Sequence, residues 1–348
     1  MANKHRFPYE WYLKDGYPAA GIDNHQKKVF GTFVCGGGST MGYKLAGYQH
    51  LGGVELDAKV AGVYRRNNHP KYLFNEDIRD FNKRMDIPEE LYNLDLLDGS
   101  PPCSTFSMAG SREDAWGKEK RFAEGQKLQC LDELVFVYCD TIEKLKPKVC
   151  LLENVTGIIT GNAVKYAKSI VNRLSSIGYR VQVFSLNAAS MGVPQKRERV
   201  FFIGLRNDYD LPKLKLDFAE PPILIKDIID WTNTQNDLTE FQYDLWKQRI
   251  PSDKCYGDII MRKENRLSMF TNMIVHSNDV MPTITSTDTS RCFYDIPRHP
   301  TERELKLCST FPLDYDCDKV GWYVGMSVPP VMTAQIAYQI YLQWLKFI

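Results

Sequence analysis

The sequence predicts an α/β fold followed by a smaller, irregular domain. Two observations carry this. Over residues 28–205, short apolar runs alternate with stretches of helical apolar spacing, and a glycine-rich turn joins the first run to the first helix. After Arg206 the alternation stops, and residues 206–297 are rich in Asp, Asn, Thr and Pro. The length of 348 residues, 43% hydrophobic and 25% charged, suits one large or two modest domains. We therefore expect a main domain over 1–205 with an extension over 1–27, a second domain over 206–297, and a closing segment over 298–348.

Composition narrows the function classes. The net charge of +1 excludes a global polycation, so any nucleic-acid surface must be a local patch. The nine cysteines show no CxxC pair and no Cys/His ligand spacing, which argues against a zinc site or a disulfide framework, and no metal is expected. Reduced thiols, no signal peptide and no apolar run of about eighteen residues predict a cytoplasmic protein without a membrane span.

In chain order, residues 1–27 hold Phe7, Tyr9, Trp11, Tyr12 and Tyr17, which predicts an ordered extension packed on the body. Lys28 to Val34 reads as a strand, Cys35-Gly36-Gly37-Gly38 as a tight turn, and Ser39 or Thr40 as the cap of a helix running to Leu45. Strand, glycine turn and helix N-terminus begin a nucleotide-binding βαβ unit. His50 to Glu55 is the second strand. Either Glu55 takes a ribose diol there or it caps the next helix (Ala58 to Arg66), a role that suits Asp57 better. Lys71 to Phe74 is the third strand, after which Asp77-Ile78 offers an acidic and an apolar group to an adenine.

The fourth strand runs through Leu94, Leu96 and Leu97 into Asp98-Gly99, and Pro101-Pro102 then stiffen the chain before Cys103. A thiol on a rigid turn at a strand end is placed to be a nucleophile. The charged stretch 107–125, with Arg112, Lys118, Lys120 and Arg121, is either a phosphate-meeting lid or a solvated loop. Leu128 to Leu145 is helical, and the strand Val149 to Leu152 closes on Glu153-Asn154-Val155. A poorly solvated carboxylate there suits proton exchange near neutrality, although a cap or salt bridge is the plainer reading. Ala163 to Ile177 reads as a helix and Tyr179 to Leu186 as a strand. Gln195-Lys196-Arg197-Glu198-Arg199 leads into the strand Val200 to Leu205, where two arginines two apart share a face. Ile223 to Trp231 is the clearest ordered piece of 206–297. Helices return at Pro300 to Leu307 and Val331 to Ile348.

Taken in order, these motifs resemble those of the S-adenosylmethionine-dependent cytosine carbon-5 DNA methyltransferases of bacteria and phages, over roughly residues 28–348. The resemblance implies a Rossmann-like methyltransferase domain and, over 206–297, a target recognition domain. It places Phe33, Cys35, Gly36, Gly37, Gly38, Glu55, Leu56, Asp77, Ile78, Pro102 and Leu134 at the cofactor, together with Met326 and Ser327 of the final GMSVPP motif. It gives Cys103, in SPPCSTFS, the nucleophile role, and Glu153, Asn154, Arg197 and Arg199 the catalytic environment. RHPTERELKLCSTFP at 298–312 matches the segment that braces the recognition domain. Gln195, Arg197, Arg112, Lys118, Arg121, Arg291 and Arg298 become the expected DNA contacts. Two positions depart from the pattern: Cys35 stands where glycine is usual, and Met326 where asparagine is usual.

The implied reaction has Cys103 attack carbon 6 of a flipped-out cytosine, Glu153 serve ring nitrogen 3, and carbon 5 take the methyl group. Double-stranded DNA is the implied partner, with a cognate restriction endonuclease as a further candidate and a monomer as the working form. Two alternatives stand beside this reading. One is a tRNA cytosine methyltransferase, to which Arg291-Cys292-Phe293 is faintly similar. The other is a catalytically silent relative that kept the fold.

Overall fold

The structure, a computed structural model, describes residues 5–17, 23–102, 133–268, 270, 272–286 and 291–348. In chain order its elements are β1 (Lys28–Thr32), α1 (Gly38–Leu45), β2 (Gln49–Val54), α2 (Ala58–Asn68), β3 (Tyr72–Phe74), α3 (Ile78–Lys83) and β4 (Leu96–Gly99). Next come α4 (Leu134–Leu145), β5 (Val149–Val155), α5 (Val164–Ser176), β6 (Tyr179–Asn187), β7 (Gln195–Lys196) and β8 (Glu198–Arg206). The remainder holds α6 (Glu240–Lys247), α7 (Tyr256–Glu264), β9 (Met273–Val275), β10 (Met281–Pro282), β11 (Arg291–Phe293), α8 (Glu302–Cys308), α9 (Val320–Met326) and α10 (Pro330–Gln343).

The chain divides into two compact units. One comprises Ala19–Asn187, Glu198–Asp217 and Thr333–Ile348, and the other Met1–Pro18, Ala188–Arg197 and Phe218–Met332. These segments differ from the boundaries expected from sequence. Residues 188–197 and 298–332 group with the 218–297 region, and the N-terminal residues do so too.

The first unit is built on a seven-stranded sheet in the order β3-β2-β1-β4-β5-β8-β6. Its first five strands are parallel, and β8 is inserted antiparallel between β5 and β6. The α/β expectation therefore holds. The strand order reverses between β1 and β4, the crevice where doubly wound sheets bind ligands at their carboxyl ends. One face is sealed by a core in which Phe30, Leu97, Tyr138, Ile142, Leu152 and Phe202 are fully buried. Gly99 belongs to this packing: an added Cβ would lie 2.5 Å from the Tyr138 ring, whose hydroxyl donates to Leu97 O at 2.9 Å and Leu151 O at 2.8 Å. The carboxyl end of β4 is thus held tightly against α4.

The second unit has its own smaller core of Leu245, Tyr256, Ile259, Ile274 and Cys292 around α6, α7 and the β9–β11 pair. The sequence predicts irregular chain where α6 and α7 form. Their starts carry capping boxes, Thr239 with Gln242 and Cys255 with Asp258. Among the described N-terminal residues, Trp11 Nε1 donates to Thr310 O at 2.9 Å, and Leu313 N donates to Trp11 O at 2.9 Å. Among the described residues no helix is long and apolar enough to cross a membrane.

Candidate active site

The chain leaves β1 into a turn whose residues are forced into the left-handed region: Phe33 has φ 55°, Cys35 φ 45° and Gly37 φ 82°. Gly37, rather than Ser39 or Thr40, is the N-cap of α1, and no side chain caps the helix. The Thr40 hydroxyl is instead engaged with Tyr64 Oη at 3.1 Å and His50 Nε2 at 3.3 Å. With no side-chain cap, the first amides of α1 suit an anionic ligand group. A Cβ on Gly37 would lie 2.3 Å from Asn68 Nδ2, so packing against α2 demands the glycine as strictly as the positive φ does. Gly37→Ala is accordingly expected to cost about 1–3 kcal/mol of stability and to weaken nucleoside-cofactor binding, checked by urea unfolding and calorimetry. Cys35 occupies the left-handed position that glycine would fill without strain.

Glu55 sits immediately past β2 and ties this turn down. Its Oε2 accepts from Cys35 N and its Oε1 from Asp57 N, each at 3.0 Å. Burial pushes the Glu55 carboxyl up from its ordinary pKa, against the amide bonds from Asp57 and Cys35 that favour the anion. Asp57 caps α2 as expected, accepting from Lys59 N at 2.8 Å and Val60 N at 3.1 Å. Leu56, between them, is exposed. Asp77 is engaged structurally, capping α3 through Arg79 N at 2.8 Å and pairing with the Arg79 guanidinium at 3.1 Å. Ile78 and Leu134 are buried in the main core, and Phe33 packs against it. A glycine turn, an uncapped helix start and a carboxylate at the end of β2 together fit an adenosyl cofactor. Met326 and Ser327 lie at the end of α9 in the other unit, where Ser327 N donates to Tyr323 O at 3.1 Å.

At the ends of β4 and β5 the second half of the site is assembled. Pro102 is half-buried and is the last described residue before Cys103; Cys103, Arg112, Lys118 and Arg121 lie outside the described residues. Glu153 is ion-paired through Oε1 with Arg199 Nε at 2.9 Å, across the antiparallel β5–β8 pairing in which Val155 faces Arg199. Both side chains are largely buried, at 12% and 13% exposure, so the pair is only weakly screened. Asn154 is buried; its Oδ1 accepts from Val155 N at 2.9 Å, and its Nδ2 has no hydrogen-bond partner among the described residues.

The remaining residues expected to meet DNA are buried. Arg197 and Arg199 are not on one strand: Arg197 falls between β7 and β8, and only Arg199 is in a strand. Arg197 is buried, with Nη1 donating to Ile284 O at 2.9 Å and Nη2 to Gly325 O at 2.8 Å. Gln195 is equally buried: its amide donates to Ser309 Oγ at 3.1 Å and its Oε1 accepts from Ile284 N at 3.1 Å. Arg291 is buried in β11 and donates to Thr283 O; burial pulls its pKa down to about 10. Arg298 is fully committed to a bidentate pair with Glu304, at 2.7 and 2.8 Å, and to Asp230 O and Asn233 O. Gln195, Arg197, Arg291 and Arg298 are each 3% exposed or less. They are internal braces of the second unit. Sequence reading also missed Asp98, which its own position signals, as a carboxylate ending an apolar run just before two prolines.

The fold and this site define a Rossmann-like α/β protein of the cofactor-binding class, with a buried acid–arginine pair at the carboxyl end of its sheet. Residues 28–342 match the family model of C-5 cytosine-specific DNA methylases, and the chain belongs to that family. It is 32% identical over 186 residues to the type II methyltransferase M.DdeI of Desulfomicrobium norvegicum, covering 53% of this chain and 41% of that protein. It is 27% identical over 263 residues to the type II methyltransferase M.NgoPII of Neisseria gonorrhoeae, covering 73% of this chain and 68% of that protein. The chain thus spans less than half the length of the first relative and about two thirds of the second. A solved structure described as a prophage-encoded DNA modification methyltransferase from E. coli shares the fold, with a TM-score of 0.64 at 19% identity over 91% of this chain and 99% of that one. Among the described residues no cluster of three metal-ligating side chains occurs.

Proposed function

We propose that the protein is a DNA (cytosine-5) methyltransferase that modifies one short duplex sequence, in the manner of a restriction-modification or phage-protection enzyme. The observation that supports this best is the Glu153–Arg199 pair at 2.9 Å, on the strand next to the one whose end runs Pro101-Pro102 into Cys103. S-adenosylmethionine, when bound, supplies an electrophilic methyl group. Phe33, Cys35 to Gly38, Glu55, Leu56, Asp77, Ile78, Pro102 and Leu134 are the residues assigned to hold it, with Met326 and Ser327 from the final motif.

Carbon 5 of cytosine is too weak a nucleophile to take a methyl group unaided. The Cys103 thiolate adds to carbon 6, and the electron pair displaced from the 5,6 double bond makes carbon 5 nucleophilic. Glu153 holds a proton at ring nitrogen 3 as the adduct forms, and Arg199 keeps that carboxyl in place. Once carbon 5 carries the methyl group, its hydrogen leaves to a base, the double bond re-forms and the thiolate is expelled. The target base must leave the duplex first, at a cost of a few kcal/mol. Phosphate contacts are assigned to Arg112, Lys118 and Arg121 from the sequence, and base reading to the 206–297 region. A monomer and a cognate endonuclease belong to the same proposal.

The test is base-resolution methylcytosine sequencing of DNA from cells expressing the protein beside a Cys103→Ala control. Methylation at one short motif, absent in the control, is expected. An unmethylated genome with folded, cofactor-binding protein would remove the DNA reading and direct the search to tRNA.

A further inference from the structure

Asp98 is the one carboxyl group on the described part of β4's carboxyl end, and no step of the proposed reaction uses it. It lies in register between Gly31 of β1 and Leu151 of β5, two residues short of the level of Glu153 on the neighbouring strand. It is 3% exposed. Its Oδ1 accepts from Tyr43 Oη of α1 at 3.1 Å, the Ser39 hydroxyl bonds the same carboxyl, and Thr32 Oγ1 donates to its main-chain oxygen at 3.2 Å. No cation is ion-paired to it among the described residues, and the titratable groups that feel its charge are Tyr43 on α1, Tyr64 on α2, Tyr138 on α4 and Glu153 on β5.

We propose that Asp98 is a positioning residue that fastens the first turns of α1, and with them the glycine turn, to the carboxyl end of β4, and that its proton occupancy sets how firmly they are held. Among the described residues, a carboxylate at this place has only hydroxyl donors to replace its water, and a second acid as its neighbour. Ionisation therefore favours rearrangements that let water in beside α1, whose Ser39 and Tyr43 hydroxyls bind this carboxyl. Burial, helped by the nearby Glu153 charge, pushes the Asp98 pKa up to about 7, against the bonds from Ser39 and Tyr43. The switch thus falls in the physiological range. The cofactor side of this inference rests on the methyl-donor reading of the glycine turn; the anchoring of α1 does not.

The test compares the whole wild-type chain with Asp98→Asn, which keeps the shape and an acceptor for Tyr43 but has no proton to lose. Stability in urea and calorimetric binding of S-adenosylhomocysteine are followed from about pH 5 to about pH 8.5. A folded pKa raised above the unfolded value gives stability that is complete below about 4 and is lost as pH rises through about 7. The wild type is therefore expected to lose stability relative to the variant across that window and then level off. Its affinity for S-adenosylhomocysteine should fall about three- to tenfold over the same window while that of the variant stays flat. A stability difference that does not change with pH overturns the proposal, since mere packing would behave that way. If the stability difference opens with pH but neither protein binds the nucleoside, Asp98 keeps its anchoring role and the cofactor reading falls.

Discussion

Replacing Arg298 by alanine is expected to remove about 3–5 kcal/mol of stability, a large part of the 5–15 kcal/mol that holds a typical domain together. The Arg298 and Glu304 side chains are 2% and 0% exposed, and the pair is bidentate. The carboxylate also accepts from Thr301 N at 2.7 Å, as the reciprocal half of the α8 capping box, and from Asp230 N at 2.8 Å. Taking away the guanidinium leaves that anion buried without its cation and frees the carbonyls of Asp230 and Asn233 that Arg298 binds. Urea unfolding measures the loss directly. Burial alone would raise the Glu304 pKa, but the Arg298 bonds and the N–H groups of Thr301 and Asp230 outweigh it and hold the carboxyl below its ordinary 4.5. The stability from this lowering is complete above that ordinary value and is lost as the pH falls through the lower folded value. In the wild type an acid limb is therefore expected below about pH 4.5, and Arg298→Ala should flatten it. A double replacement of Arg298 and Glu304 by apolar residues should recover part of the loss, but not the part owed to the helix cap.

The same residues show what a sequence can and cannot disclose. Most strands of the main sheet were legible because they are apolar runs between turn residues, and Asp57 was legible as a cap because capping is local. The antiparallel insertion of β8 between β5 and β6 was not, since it depends on which distant strand is paired. Helices α6 and α7 are short, and their apolar stripes cover only a small core. The capping box Thr239-Glu240-Phe241-Gln242 was nevertheless readable in advance. The internal partners of the arginines were hidden for a definite reason. Arg298 and Glu304 are six residues apart and meet only once the α8 turn forms, while Arg197 is separated from Arg199 by the break between two strands. Charge type alone does not say whether an arginine faces a phosphate or a ring of carbonyls. At the site, Glu55 and Glu153 were placed correctly at strand ends, yet Asp98, inside an apolar strand, was passed over.

Glu153→Gln is expected to have the largest effect on turnover. The substitution preserves the side chain's shape and an oxygen for Arg199, but it removes both the charge that pairs at 2.9 Å and the exchangeable proton. If Glu153 serves ring nitrogen 3, the methyl-transfer rate should fall by roughly 10²–10⁴-fold, the usual worth of a positioned acid or base. Cofactor affinity should change far less than the rate, because the glycine turn is tied directly to Glu55. Single-turnover transfer of labelled methyl groups, measured beside S-adenosylhomocysteine binding, separates the two. Arg199→Lys gives the complementary result. A lysine keeps the charge but loses the planar fork that approaches Glu153 through Nε, so a smaller loss in rate is expected, with the pH dependence of transfer displaced. Equal rates in wild type and Glu153→Gln would make the pair a structural salt bridge and overturn the proton role proposed for Glu153.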